Sequence, residues 1–357
     1  MATVALNPAF WRGRRVFLTG HTGFKGSWLS LWLQDMGAVL YGYALPPTTA
    51  PSLWQTVQLT SLIPGEMADI RDGQRLAEAV TRFRPEIVLH LAAQPLVRES
   101  YRTPADTYAT NVMGTLNLLE AVRRCDAVRA VLVVTTDKCY ENREWPWPYR
   151  EQDTLGGIDP YSSSKACTEL LCASWRDSFL RKAGIALATA RAGNVIGGGD
   201  WSPERLVPDV LHCWQRNQPV ALRYPNATRP WQHVLEPLHG YLILAEAMFN
   251  DGDAAASAWN FSPDTEGVAS VGEIVQHLAG LWPTAATWMI EEQAQPHEAG
   301  LLALDSSKAR QRLGWRPRWS LQEALARTVQ WHQAWQSSQD MQAFTRSQIT
   351  EFLNSTP

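Results

Sequence analysis

At 357 residues, 45% of them hydrophobic and 19% charged, the chain is long enough for a large α/β domain with a smaller appendage. A formal net charge of -3 gives no electrostatic reason to expect nucleic acid, so a small anionic ligand has to be met by local cations. The N-terminus lacks a signal-peptide pattern, no apolar run approaches membrane-spanning length, and five cysteines without metal-ligand spacing suit reduced thiols, so the expectation is a cytoplasmic protein without metal, membrane or nucleic-acid partners.

The first element organises the rest. Arg14 to Thr19 reads as a short apolar strand, and Gly20, Gly23 and Gly26 space a turn that opens a helix. Such a turn lets backbone N–H groups and the positive helix end face a pyrophosphate. The helix ends at Gly37, and Gly37 to Ala44 is expected as the second strand. Leu45-Pro46-Pro47 follows, without an acidic residue for an adenosine ribose and without a basic one for a 2′-phosphate. Gly65 to Asp72 predicts a short strand leading into a helix from Gln74 to Phe83. Asp69 is placed either to accept from an adenine amino group or to serve as a carboxylate at the helix start.

Ile87 to Ala93 is the next strand, where Ala92 and Ala93 leave space against the sheet. A helix from about Ala105 to Arg124 carries Asn111 and Gly114. The run Ala130 to Thr136 has the continuous apolar character of a central parallel strand. Its end, Thr135-Thr136-Asp137-Lys138-Cys139-Tyr140, puts polar groups at the carboxyl edge of the sheet, where open α/β sheets form ligand crevices. A helix opening at Tyr161 sets Tyr161 and Lys165 on one face. Ala186 to Ala190 is a further strand, running into Arg191 to Trp201. Beyond it the alternation fades. Residues 1–190, with a strand and helix returning from about 227–260, form the expected dinucleotide domain, and 191–357 mainly an interleaved substrate lobe.

Together these stretches resemble the extended short-chain dehydrogenase/reductase superfamily, and within it the nucleotide-sugar 4,6-dehydratases, from about Arg14 to His332. Thr19 to Gly26, Asp69-Ile70, Leu91-Ala92-Ala93, Asn111 to Thr115, Thr135-Thr136-Asp137, Tyr161 to Lys165 and Arg191 to Gly198 stand in family order. The resemblance implies a Rossmann-type doubly wound parallel sheet with a smaller mixed α/β C-terminal substrate lobe, and NAD as cofactor. It implies cofactor contacts at Gly20, Thr22, Gly23, Phe24, Lys25, Gly26, Asp69, Ile70, Leu91, Ala92, Ala93, Asn111, Thr135, Tyr161, Lys165 and Ala192. The stretches Thr19 to Gly26, Thr135 to Tyr140 and Arg229 to Val234 are similar to those of members that take a CDP-hexose. Asn194, Arg205 and Arg229 are expected at its diphosphate, with Val97, Leu206, Val207, Val220, Leu222, Tyr224 and His297 around the rest. A homo-oligomer is implied through the helices bearing Asn111 and Tyr161, with Leu170, Leu171 and Trp175 as apolar contacts.

The chemistry implied is internal hydride transfer. Tyr161 takes the O4 proton; since an unperturbed tyrosine titrates near a pKa of about 10, Lys165 is expected to favour its phenolate. Thr136 orients the same hydroxyl. Asp137, kept protonated by desolvation, is the acid that expels the C6 hydroxyl, which a 4-epimerase on the same scaffold does not need. Lys138 stands where many relatives have glutamate as the C5 base. A neutral Lys138, Tyr161 or a water are the candidates for that role, and simple pairing of Lys138 with Asp137 or a phosphate is the alternative. A non-catalytic dinucleotide sensor is the reading from another class, against which the intact tyrosine–lysine pair speaks.

Overall fold

The computed structural model describes residues 6–264, 267–284, 286–291 and 300–356. Its first six strands are β1 (Arg15–Thr19), β2 (Val39–Ala44), β3 (Gly65–Met67), β4 (Ile87–His90), β5 (Ala130–Val134) and β6 (Ala186–Ala192). Later come β7 (Asn194–Ile196), β8 (Val220–Leu222), β9 (Thr228–His233), β10 (Ala258–Phe261), β11 (Val268–Ser270) and β12 (Trp288–Ile290). The main sheet runs β10-β6-β5-β4-β1-β2-β3, with every neighbouring pair parallel.

Burial on both faces explains the unbroken apolar runs. Along β5, Ala130, Leu132 and Val134 enter one core, with Trp28 and Leu31 of the Phe24–Asp35 helix and Leu238 and Leu242 of the Leu235–Asp251 helix. Val131 and Val133 enter the other, with Leu76 of the Gly73–Phe83 helix, Leu118 of the Gly114–Arg123 helix and Cys172 of the Pro160–Trp175 helix. Strand order reverses between β1 and β4, so the crevice opens where β1 runs into the glycine turn.

The expected Ala105–Arg124 helix is interrupted. Pro104–Tyr108 passes through a wider π turn, Ala109–Met113, into Gly114–Arg123. Within that turn the Asn111 carbonyl accepts the hydroxyls of Thr115 (2.7 Å) and Thr168 (3.0 Å), which compete with the helical ladder.

In the returning segment, β9 pairs in a small sheet, β11-β9-β7, whereas the Leu235–Asp251 helix and β10 join the main sheet. Strands β8 and β12 form a second small sheet. A third core fills this lobe with Val207, Leu211, Trp214, Ile274 and Leu278. The Met341–Asn354 helix then returns to the Phe24–Asp35 helix, setting Phe352 edge-on to Trp32 at 5.9 Å. Among the described residues no helix is long and apolar enough to cross a membrane.

Candidate active site

One cavity of about 910 Å³ lies along the carboxyl edge of the main sheet, between it and the small lobe. Its floor begins at the glycine turn. Gly20 has φ +73°, and a Cβ on Gly26 would stand 2.1 Å from the Gly20 carbonyl oxygen, so neither position admits a side chain without moving backbone. Gly23, as N-cap of the following helix, brings no side-chain cap. The first N–H groups of that helix therefore lack an intrahelical or capping acceptor, which fits the pyrophosphate of a dinucleotide.

Around the cavity stand Thr22, Gly23, Phe24, Lys25, Gly26, Asp69, Ile70, Leu91, Ala92, Ala93, Thr135 and Ala192 of the expected cofactor set. Asp69 is bound by Arg71, whose N–H and Nε donate at 2.8 Å, and the cap of the next helix is Asp72, whose Oδ1 accepts from the Arg75 N–H at 3.1 Å. Asn111 lies off the cavity. It is a buried brace whose amide meets the Gln94 backbone at 2.8 and 3.1 Å and the Ser164 hydroxyl at 2.9 Å. It thereby ties the loop after β4 to the helix carrying Tyr161.

Polar groups converge at the end of β5. The Thr136 hydroxyl donates to Asp137 Oδ1 at 3.0 Å and is hydrogen-bonded with Tyr161. Asp137 is buried, and its Oδ2 has no partner among the described residues. Lys138 Nζ reaches Oδ1 at 3.5 Å with its side chain 30% exposed. Tyr161 sits in the first turn of the Pro160–Trp175 helix because Asp159 caps the Ser162 N–H at 2.9 Å and Pro160 occupies the first helical position.

Contrary to expectation, Lys165 is not among the main charges acting on the phenol. Burial pushes Tyr161 up to about 12, the Thr136 bond acting downward and Asp137 upward. The Lys165 ammonium instead donates to the Val134 carbonyl at 3.2 Å, and burial lowers its pKa to about 8 against the pull of Glu169.

Of the expected substrate residues, Val97, Asn194, Arg205, Leu206, Val207 and Arg229 line the cavity. Arg205 pairs with Asp200 at 3.3 Å, and Arg229 donates to the Thr228 carbonyl at 2.8 Å. Val220 and Leu222 do not line it; as inward positions of β8 they are spent on the small-lobe core. Tyr224 is also absent from the cavity wall, and His297 lies outside the described residues. Leu170 is exposed, whereas Leu171 and Trp175 pack against the chain's own core.

Sequence reasoning missed Arg98, Glu141 and Asp200 as wall residues. The signal for Asp200 was the run Gly197 to Gly199 before it. Gly198 lies so close to Trp331 that a Cβ would fall 1.9 Å from its ring, and the Gly198 carbonyl accepts from Trp28 Nε1 at 3.0 Å.

A family model described as GDP-mannose 4,6 dehydratase matches residues 17–328. A relative, the CDP-glucose 4,6-dehydratase of Salmonella typhimurium, is 50% identical over 356 residues, covering 98% of this chain and 99% of that protein. Among solved structures, an epimerase from Methanothermobacter thermautotrophicus is 22% identical with a TM-score of 0.79, covering 92% of this chain and 95% of that one. The dTDP-glucose 4,6-dehydratase of Bacillus anthracis, solved in complex with NAD, is 18% identical with a TM-score of 0.75, covering 92% and 99%. At these identities the two structures speak for the fold.

Proposed function

The chain belongs to the GDP-mannose 4,6-dehydratase family and is a nucleotide-sugar 4,6-dehydratase, a hydro-lyase; from that premise we propose CDP-glucose as its substrate, CDP-4-dehydro-6-deoxyglucose and water as its products, and NAD as a resident cofactor. The 50% identity to the Salmonella enzyme supports the cytidine nucleotide, and the open helix start at the glycine turn supports the dinucleotide.

The chemistry that NAD supplies when bound is acceptance of a hydride from C4 of the hexose and its return to C6. Gly20 to Gly26 would hold its pyrophosphate on backbone N–H groups. Tyr161 takes the O4 proton as its phenolate, the form that Thr136 and Arg205 favour against burial, and the Thr136 hydroxyl orients that oxygen. Once C4 is a ketone the C5 proton is acidic. Once Lys138 has passed its ammonium proton to Asp137 across their 3.5 Å contact, the neutral amine takes the C5 proton and later returns a proton to C5. Asp137 gives its proton to the departing C6 hydroxyl, which leaves as water. Arg205 and Arg229 face the diphosphate of the substrate.

One observation carries this reading: the buried Asp137 carboxyl, with a free Oδ2, stands beside the Thr136–Tyr161 hydroxyl pair in the cavity that also holds the glycine turn. A 4-epimerase has no use for that acid. Incubation of purified protein and NAD with CDP-, dTDP-, GDP- and UDP-glucose tests it, because a 4-keto product absorbs in alkali; turnover confined to a nucleotide other than CDP refutes the substrate. Lys138→Met should abolish solvent-deuterium exchange at C5, and undiminished exchange excludes lysine as the base.

A further inference from the structure

A cation in the first turn of a helix opposes the positive end of the helix dipole. Lys25 occupies that position in the Phe24–Asp35 helix, half-buried on the cavity wall, with no hydrogen bond or ion pair to any described residue. The charges within its field come from three other elements: Lys165 on the Pro160–Trp175 helix, Asp137 after β5, and Asp200 and Arg205 in the loop after β7. Neither carboxylate forms an ion pair with it. Asp200 is taken by Arg205 at 3.3 Å and the Ser202 N–H at 3.0 Å, and Asp137 by the Thr136 hydroxyl and Lys138. Burial and the repulsion of Arg205 and Lys165, against Asp137 and Asp200, bring its pKa down to about 7. An uncompensated charge at this depth costs stability and persists where function uses it.

A dinucleotide whose pyrophosphate rests on Gly20 to Gly26 and whose hydride end reaches the sugar hydroxyl at Tyr161 spans the gap between the turn and Lys165. Lys25 stands in the first helical turn after those glycines and lines the same cavity as Asp137, Tyr161 and Lys165, so it borders the space such a dinucleotide would take. The nicotinamide ring is cationic when oxidised and neutral when reduced, and a fixed positive charge beside it opposes only the oxidised form.

We propose that Lys25 is the charge that biases the bound nicotinamide toward hydride uptake, weakening the oxidised cofactor relative to the reduced one so that hydrogen leaves C4 of the sugar more readily. The proposal rests on NAD use by this chain. Two unit charges within about 10 Å at an effective dielectric near 20 change an equilibrium by roughly ten-fold.

The test is direct titration of the full-length protein, freed of bound nucleotide, with NAD and separately with NADH. NADH is followed by its fluorescence and NAD by displacement of NADH, at pH 6.5, for wild type, Lys25→Met and Lys25→Arg. The expected result is a fall of about ten-fold in the ratio of NADH to NAD affinity in Lys25→Met and a retained ratio in Lys25→Arg, since an arginine keeps the charge. Equal weakening of both nucleotides in Lys25→Met identifies a phosphate clamp and overturns the proposal, as does an unchanged ratio. Should Lys25→Met not fold, Lys25→Gln carries the same comparison. Wild type binding neither nucleotide overturns the NAD assignment itself, a separate result.

Discussion

Removing one carboxylate should loosen the helix that carries Tyr161 and Lys165. Glu169 lies one turn beyond Lys165, and it receives Arg191 Nη2 at 2.8 Å and Nε at 2.9 Å, with the hydroxyls of Thr135 and Thr189 completing its shell. Both side chains are 3% exposed. Burial raises the Glu169 carboxyl, but Arg191 and the two threonines outweigh it, leaving the group ionised well below its ordinary range. In Glu169→Gln the hydroxyl contacts can survive, but Arg191 becomes a buried charge without a counter-ion. Such single removals cost about 3–5 kcal/mol. With an unfolding entropy of roughly 2.1 cal/mol/K per residue, a chain of 357 residues translates this into a Tm lowered by about 4–7 °C at fixed scan rate. Because the folded pKa of Glu169 is depressed, its contribution is complete above the unfolded carboxyl pKa and is lost only as pH falls through the folded one, so the deficit should be constant from pH 6 to 8. Differential scanning fluorimetry of the single variants and of Glu169→Gln/Arg191→Met decides it. The double variant should be less destabilised than the sum of the singles by at least about 1 kcal/mol. A Tm change under 1 °C in Glu169→Gln, or strict additivity, refutes the reasoning.

Asp137→Asn should lower dehydration by about 10²–10⁴-fold while sparing hydrogen removal from C4, so reduced cofactor accumulates at 340 nm; no such band would remove Asp137 from the acid role. Gly26→Ala places a methyl 2.1 Å from the Gly20 carbonyl and should abolish NAD binding in calorimetry while far-UV circular dichroism is unchanged. Burial raises Glu246 to about 7, although it accepts from Trp11 Nε1 at 2.6 Å, so the folded state binds the extra proton and loses stability as pH rises from the unfolded carboxyl pKa to 7. Glu246→Gln should therefore gain up to about 3 kcal/mol over wild type at pH 8 and nothing at pH 4, which paired melting curves will check. Met113 and Leu170 are exposed on two helical segments that pack together, and light scattering at micromolar concentration should give at least a dimer; a strict monomer refutes that face as an interface.

Local rules were enough for most elements and for the polar groups at the sheet edge. Unbroken apolar runs, buried on both faces, wrote β1, β4 and β5 into the chain as parallel strands, and glycine spacing wrote the turn after β1, because these depend on residues a few positions apart. The Tyr161–Lys165 spacing and the polar end of β5 were legible for the same reason. What needed the folded molecule was every property set by contacts distant in sequence. Val220 and Leu222 alternate like a pocket wall but face the Ile274 and Leu278 side of their lobe, a choice made by the packing of another helix. Asn111 braces Gln94 and Ser164 across 17 and 53 residues. The charge states diverge most. Lys165 lines the same cavity as Tyr161, yet burial governs the phenol, and Lys25, in the turn 140 positions before Lys165, has no ion-pair partner among the described residues. Desolvation and charge proximity are summed over three-dimensional neighbours, and only the tertiary structure supplies those.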